Sequence, residues 1–292
     1  MSRVPEFCSK NGIQLNKGLG QNFLVDEAVL QKILETANIK DSDFVLEIGA
    51  GIGVLTSELV KRAGRIMAVE IDGKLVPLIN KYVNTHELSS SESASGRANR
   101  EAASPLVLRQ AQESVEESNK LNIINANALE VDFPNEPYKI VANIPYHITS
   151  PLLRHAFLES EVYPKSMTLL IQHEVAEKIC DEKSKGMLTI LVGLFGKPTL
   201  IQKVPPEAFL PPPKVNSAIL HIDCFDSPIA TKEQIEKIFQ LTKVAFGKKR
   251  KMLRNSIGEI DGGMEILEKA GIEATRRPQE LSIEEWIKLA NQ

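Results

Sequence analysis

Apolar positions along the chain recur at two spacings, and the changes between them mark out the elements. Val29, Leu30, Ile33, Leu34 and Ala37 fall at helical spacing and predict one amphipathic helix over residues 26–38. Asp43-Phe44-Val45-Leu46-Glu47-Ile48 reads instead as a buried strand, running straight into glycines at 49, 51 and 53. A helix over residues 54–63, a strand over 65–70, a third strand over 121–125 and a fourth over 138–142 continue the series. Strands alternating with helices predict an α/β fold of the doubly wound, Rossmann-like class, a parallel sheet with crossover helices.

Residues 85–119 break that rhythm. They carry eight serines, a glycine and mixed charges, with apolar spacing for a short helix only over 105–115. Such a composition predicts a mobile surface insertion. Past Ser184 the texture changes again: Pro205-Pro206 and Pro211-Pro212-Pro213 flank Phe209, a strand fits 217–222, and helical segments dominate from Thr231 onward. The simplest division is a first domain over residues 1–210 and a small, mainly helical second domain over residues 211–292.

Composition narrows the functional classes. At 292 residues, 42% hydrophobic and 25% charged, the chain suits an ordinary globular protein with two cores. A net charge of −3 argues against coating nucleic acid with the whole surface. Residues 197–254 nevertheless hold eleven Lys/Arg against five Asp/Glu, so a local basic face is expected. The longest apolar stretches fall short of the roughly 20 residues that span a bilayer, and the first ten residues lack the apolar run of a secretory signal. A cytoplasmic location follows as the expectation. Cys8, Cys180 and Cys224 are too far apart to suggest a zinc site or a disulfide framework, and no metal is expected.

Chemistry enters with Glu47-Ile48-Gly49-Ala50-Gly51-Ile52-Gly53, placed where a strand turns into a helix. Glycines there let backbone amides approach a ligand closely. The spacing is GxGxG rather than the GxGxxG of the dinucleotide fingerprint, which suits a loop set against the methionine and ribose parts of S-adenosylmethionine. Glu70 ends the second strand, where a carboxylate can accept both ribose hydroxyls. Asp72 is a weaker candidate for the same task. On these features alone an NAD-dependent oxidoreductase stays open.

Asn143-Ile144-Pro145-Tyr146, at the end of the fourth strand, points to the reaction. An adenine exocyclic amine is a poor nucleophile because its lone pair is delocalised into the ring. Two acceptors can localise that pair by holding the amine hydrogens: the Asn143 carboxamide oxygen and a backbone carbonyl, most plausibly that of Ile144. Pro145 fixes the turn, and Tyr146 supplies a face on which a base can stack. No charged general base is required, and His147 has no evident part. The competing bland interpretation is a strand-ending turn with a packed tyrosine.

With these motifs the sequence resembles the KsgA-type ribosomal RNA adenine dimethyltransferases over nearly its whole length. Leu19-Gly20-Gln21-Asn22-Phe23-Leu24 is similar to the family's cofactor-covering segment, Glu47 to Gly53 to its glycine loop, and Asn143 to Tyr146 to its catalytic tetrapeptide. Ile171-Gln172-His173-Glu174-Val175-Ala176 resembles the helix after the next strand. Val204-Pro205-Pro206, Phe209 and Pro211-Pro212-Pro213-Lys214-Val215 with Ser217-Ala218 resemble a long family signature. Ala245-Phe246-Gly247-Lys248-Lys249-Arg250-Lys251-Met252-Leu253-Arg254-Asn255 resembles the basic helix of the second domain.

The resemblance implies S-adenosylmethionine-dependent dimethylation of two adjacent adenines in a small-subunit rRNA hairpin, within a pre-ribosomal particle; nothing in the sequence demands more than a monomer. It implies cofactor contacts from Gln21, Asn22, Leu24, Gly49, Gly51, Glu70, Ile71, Asn127 and Asn143. It makes Phe209 a second stacking surface for the target base, with a packed residue in a proline-rich loop as the alternative. Lys248, Lys249, Arg250, Lys251 and Arg254 would hold RNA phosphates, with Phe246, Met252 and Leu253 anchoring the other side of their helix. One departure bears on affinity: where the family usually has Gly-Asp, this chain has Ala126-Asn127, which keeps an acceptor for the cofactor's adenine amine and loses its charge. Two alternatives stay open: a large-subunit rRNA adenine methyltransferase of the resistance type, and a non-catalytic ribosome-assembly factor.

Overall fold

A computed structural model of the chain describes residues 3–13, 17–91, 120–248 and 250–292. It divides into two compact units, residues 1–173 with 201–221 and residues 174–200 with 222–292. This differs from the expected single boundary at 210, because residues 174–200 belong with the C-terminal segment and residues 201–221 return to the first unit.

The first unit is built on parallel strands β2 (Phe44–Ile48), β3 (Arg65–Glu70), β4 (Leu121–Asn125), β5 (Lys139–Asn143) and β6 (Ser166–Gln172). With β7 (Gly196–Val204) and β9 (Ser217–Cys224), both of which run from one unit into the other, they form a seven-stranded sheet ordered β4-β3-β2-β5-β6-β9-β7. β2 pairs in parallel with β3 on one side and with β5 on the other. The chain thus winds outward in both directions from β2 and β5, and the loops that leave these two strands diverge at the switch point where ligands bind in open α/β sheets. The glycine loop follows β2 and the Asn143 tetrapeptide closes β5.

Helix α2 (Glu27–Ala37) shows how locally the sequence sets its limits. Asp26 accepts from the amides of Ala28 and Val29 at its start, and Asn38 ends it in the left-handed region at φ 45°. Its apolar stripe, Val29, Ile33, Leu34 and Ala37, is buried in the same core cluster as Val45, Ile66, Val141 and Leu170 of the sheet. A shorter helix, α1 (Val4–Lys10), was not legible in the sequence; it buries only Val4 and Cys8. These join Phe23, Ile52, Leu75 and Tyr82 in a second apolar cluster, and Phe7 meets Tyr82 edge to face. Two two-residue strands, β1 (Phe23–Leu24) and β8 (Phe209–Leu210), pair antiparallel beside the main sheet.

The break in rhythm expected from residue 85 comes later, since the helix Val76–Ser91 carries the chain through to 91. The rest of that expected insertion, residues 92–119, lies outside the described residues.

In the second unit the helix Lys232–Gly247 opens on a Thr231 cap reciprocated by Gln234, and the helix Ile283–Ala290 opens on a Ser282 cap reciprocated by Glu285. Trp286 is fully buried, with the Phe246 ring 6.2 Å away. The expected basic helix is not one: the helix stops at Gly247, and residues 250–251 form a turn before a short 3-10 segment, Leu253–Asn255. A glycine followed by cations is a helix-ending combination, because the cations complement the carbonyl-rich C-terminus. Leu253 is buried while Arg250, Lys251 and Arg254 are exposed, so the segment still turns its charges to solvent.

Candidate active site

One pocket in the first unit is lined by Gln21, Asn22, Leu24, Gly49, Gly51, Glu70, Ile71, Asn127, Asn143, Ile144, Pro145 and Tyr146. These twelve residues expected at the cofactor or at the reacting amine therefore meet in a single cleft, while Asp72 and Phe209 do not line it. Glu47, Phe23 and His147 line it as well.

The glycine loop is held by close approach. Gly51 has φ +60°, and a Cβ there would lie 3.1 Å from the Phe23 ring, so a side chain would press on that ring from a strained left-handed backbone. The Gly51 amide donates to Glu70 Oε2 at 2.7 Å, and the Asp72 amide donates to Oε1 at 2.8 Å. Each carboxylate oxygen keeps lone-pair capacity for a further donor, which is what two ribose hydroxyls require. Burial pushes the Glu70 carboxyl above its ordinary range, opposed by those amides. Asp72, the weaker candidate, instead accepts from Gln21 Nε2 at 2.9 Å and tethers the covering segment; it is not part of the pocket wall.

Glu47 begins the glycine motif and is 1% exposed. Its carboxyl is pushed up from 4.5 to about 8, chiefly by burial and further by the charge of Glu70, against the dipoles of Thr56. Neither Glu47 Oε2 nor Thr56 Oγ1 has a hydrogen-bond partner among the described residues.

At the other end of the pocket, Asn143 Nδ2 donates to the Asn22 carbonyl at 3.1 Å. With the nitrogen committed, the carboxamide oxygen is the atom left to accept from an incoming amine. The Tyr146 hydroxyl shares a hydrogen bond with Ser217 Oγ at 2.6 Å, and Thr149 Oγ1 donates to the Tyr146 carbonyl at 3.0 Å. Burial raises the Tyr146 phenol above its ordinary value, with the Ser217 bond opposing it. The side chain is thus pinned at its hydroxyl, and its backbone is held at the carbonyl. Ser217 was not singled out as a site residue in the sequence, because nothing in its own segment reveals a partner 71 positions away.

Asn127 lies in the pocket wall, where its Oδ1 accepts from the Leu129 amide at 3.1 Å and its Nδ2 donates to Glu130 Oε1 at 2.7 Å. One lone pair of Oδ1 remains for a ligand. Phe209 corrects the sequence expectation. It is 3% exposed, opposite Leu24 in the β1–β8 pair and part of the apolar core, and is not in the pocket wall, so it offers no face to a base.

The expected phosphate-holding residues lie in the second unit. Lys248 is paired with Glu259, which neutralises part of the segment's charge. Lys249 lies outside the described residues, leaving Arg250, Lys251 and Arg254 as exposed cations there.

The family model for ribosomal RNA adenine dimethylase matches residues 12–90 and 104–292. The chain is 37% identical to ribosomal RNA small subunit methyltransferase A of Dehalococcoides mccartyi, over 99% of this chain and 92% of the relative. It is 35% identical to the protein of that name from Alkaliphilus oremlandii, over 99% and 95% of the two chains. Among solved structures it is similar to a dimethyladenosine transferase from Plasmodium falciparum, with TM-score 0.69 and 25% identity over 91% of this chain and 95% of that one. The 23S rRNA methyltransferase ErmE is also similar, with TM-score 0.64 and 25% identity over 92% and 98%.

Proposed function

The chain belongs to the ribosomal RNA adenine dimethylase family, and on that premise we propose that it dimethylates two adjacent adenines in a small-subunit rRNA hairpin. It is an S-adenosylmethionine-dependent rRNA methyltransferase. The observation that carries the reading is the commitment of Asn143 Nδ2 to the Asn22 carbonyl, which leaves Oδ1 as a fixed acceptor in a pocket shared with Gly49, Gly51 and Glu70.

The residues present suit the cofactor: a glycine cradle that a Cβ would fill, a buried carboxylate with capacity on both oxygens, and an acceptor at Asn127. When bound, S-adenosylmethionine supplies an electrophilic methyl group. Glu70 would hold its ribose, Ile71 and Asn127 its adenine, and Gln21, Asn22, Leu24, Gly49 and Gly51 its methionine side. Asn143 Oδ1 and the Ile144 carbonyl accept the two hydrogens of the target amine, drawing its lone pair out of ring conjugation. Tyr146, pinned by Ser217, stacks under the flipped base. The proton left on the methylated amine passes to solvent or to a weak acceptor.

The rRNA would be taken within a pre-ribosomal particle, with Arg250, Lys251 and Arg254 on its phosphates. We place the enzyme in the cytoplasm as a monomer; among the described residues no helix is long and apolar enough to cross a membrane. The names of the curated relatives favour the small-subunit substrate over the large-subunit one. Asn143→Ala tests the reading: methylation of small-subunit particles is abolished while particle binding persists. Loss of both in parallel would show that Asn143 does not have the role assigned to it.

A further inference from the structure

Resting on the cofactor site just described, the geometry points to Asn125 as a positioning residue that sets the ribose and adenine end of the pocket from outside it. Asn125 is the last residue of β4 and stands in register with Glu70, the last residue of β3. Both hydrogens of its carboxamide are spent on the neighbouring strand's exit: Nδ2 donates to the Glu70 carbonyl at 2.8 Å and to the Ile71 carbonyl at 3.2 Å. The Glu70 carbonyl also accepts from the Ala126 amide at 3.2 Å. One side chain therefore bridges the two consecutive peptides at which the sheet ladder ends and the pocket wall begins.

Those two residues form the pocket's acidic and apolar edge. Glu70 has its carboxylate held by Gly51 and Asp72, and Ile71 leaves 51% of its surface exposed at the rim, where an apolar side chain can cover the face of a flat heterocycle. The Glu70 carboxylate and the Ile71 side chain are aimed by the backbone between them, and that backbone is what Asn125 clamps. Asn125 is not in the pocket wall and acts only through these neighbours.

Gly73 supports the same device independently. A Cβ built there would lie 2.9 Å from Asn125 Oδ1, closer than real Cβ contacts allow, so the residue after the turn is open for the carboxamide to lie against. Its backbone does not need φ above zero, which makes alanine at 73 a probe of that contact alone.

The test is a double-mutant cycle on Asn125→Ala and Gly73→Ala, read by calorimetric binding of S-adenosylhomocysteine and by steady-state methylation with rRNA particles. Each single variant is expected to weaken cofactor binding and raise the cofactor KM about tenfold, equivalent to about 1.4 kcal/mol. kcat at saturating cofactor and the KM for rRNA should stay within about twofold. The double variant should bind no more weakly than Asn125→Ala, because both changes displace one carboxamide. A merely structural role would lower the melting temperature without separating KM from kcat, and would leave the two effects additive. Unchanged cofactor affinity in Asn125→Ala, or additive losses, overturns the proposal. Failure of the unaltered protein to bind S-adenosylhomocysteine would overturn the cofactor site itself, and the two failures are told apart by that first titration.

Discussion

Replacing Glu47 with Gln is expected to remove a steep pH dependence from the stability of the cofactor-free protein. The side chain is 1% exposed at the start of the glycine loop, with Oε2 lacking a partner among the described residues. Its carboxyl sits at about 8 in the folded chain against 4.5 for an ordinary glutamate. Because the folded value is the higher one, the folded state binds the proton more tightly. Below about pH 4.5 both states are protonated and nothing is lost. As pH rises from there to about 8, folding must take up a proton the unfolded chain has released, and stability falls by about 1.4 kcal/mol per pH unit. Above about 8 the charge is carried in the buried site, and the loss levels off at roughly 5 kcal/mol.

Glutamine keeps the shape and cannot titrate, so the variant should gain on the parent progressively across that window. Burying an amide with an unmet group costs a fixed amount, which displaces the difference curve without tilting it. Glu70, whose carboxyl is also raised by burial, is present in both proteins and cancels from the difference while Glu47 is protonated; once Glu47 ionises, the two charges repel and the difference belongs to the pair. Urea unfolding of both proteins at intervals from about pH 5 to pH 9 measures it. Parallel stability curves across the range would refute the reasoning, because they would mean that Glu47 is solvated or paired.

Two further perturbations address the pocket's walls. Ser217→Ala removes the 2.6 Å partner of the Tyr146 hydroxyl, a loss of about 1 kcal/mol of positioning. It should lower kcat/KM for rRNA about fivefold in single-turnover assays with cofactor affinity unchanged; a change in cofactor affinity alone would contradict the stacking role of Tyr146. Gly51→Ala places a Cβ 3.1 Å from the Phe23 ring on a backbone at φ +60°, at a cost of roughly 1–2 kcal/mol. Cofactor binding should weaken about tenfold and the melting temperature drop by several degrees; wild-type affinity would show that the loop does not approach its ligand closely.

What was legible in the sequence was what short range decides. The strands over 65–70 and 121–125 have the limits their apolar runs suggested, and the glycine loop and the tetrapeptide lie where strand ends put them. Partners brought in by the sheet were not legible. Ser217 reaches Tyr146 and Asn125 reaches Glu70 only because β9 and β4 take their places in the strand order, which no local pattern encodes. Phe209 was not decidable from the sequence, because a lone aromatic between prolines is equally suited to a wall and to a core, and a two-residue strand has no periodicity to decide the matter. In the basic segment, Gly247 ahead of a run of cations is itself a signal that a helix ends, and it outranks the charge pattern.

The central claim, methyl transfer to small-subunit rRNA adenine at Asn143, is met most directly by incubating the protein with labelled S-adenosylmethionine and undermethylated small ribosomal subunits, then mapping the modified nucleotides. Naked large-subunit rRNA serves in parallel. The account predicts label as dimethyladenosine at two adjacent adenines of a small-subunit hairpin and none in the Asn143→Ala variant. Label confined to large-subunit rRNA, or particle binding without transfer, would contradict it.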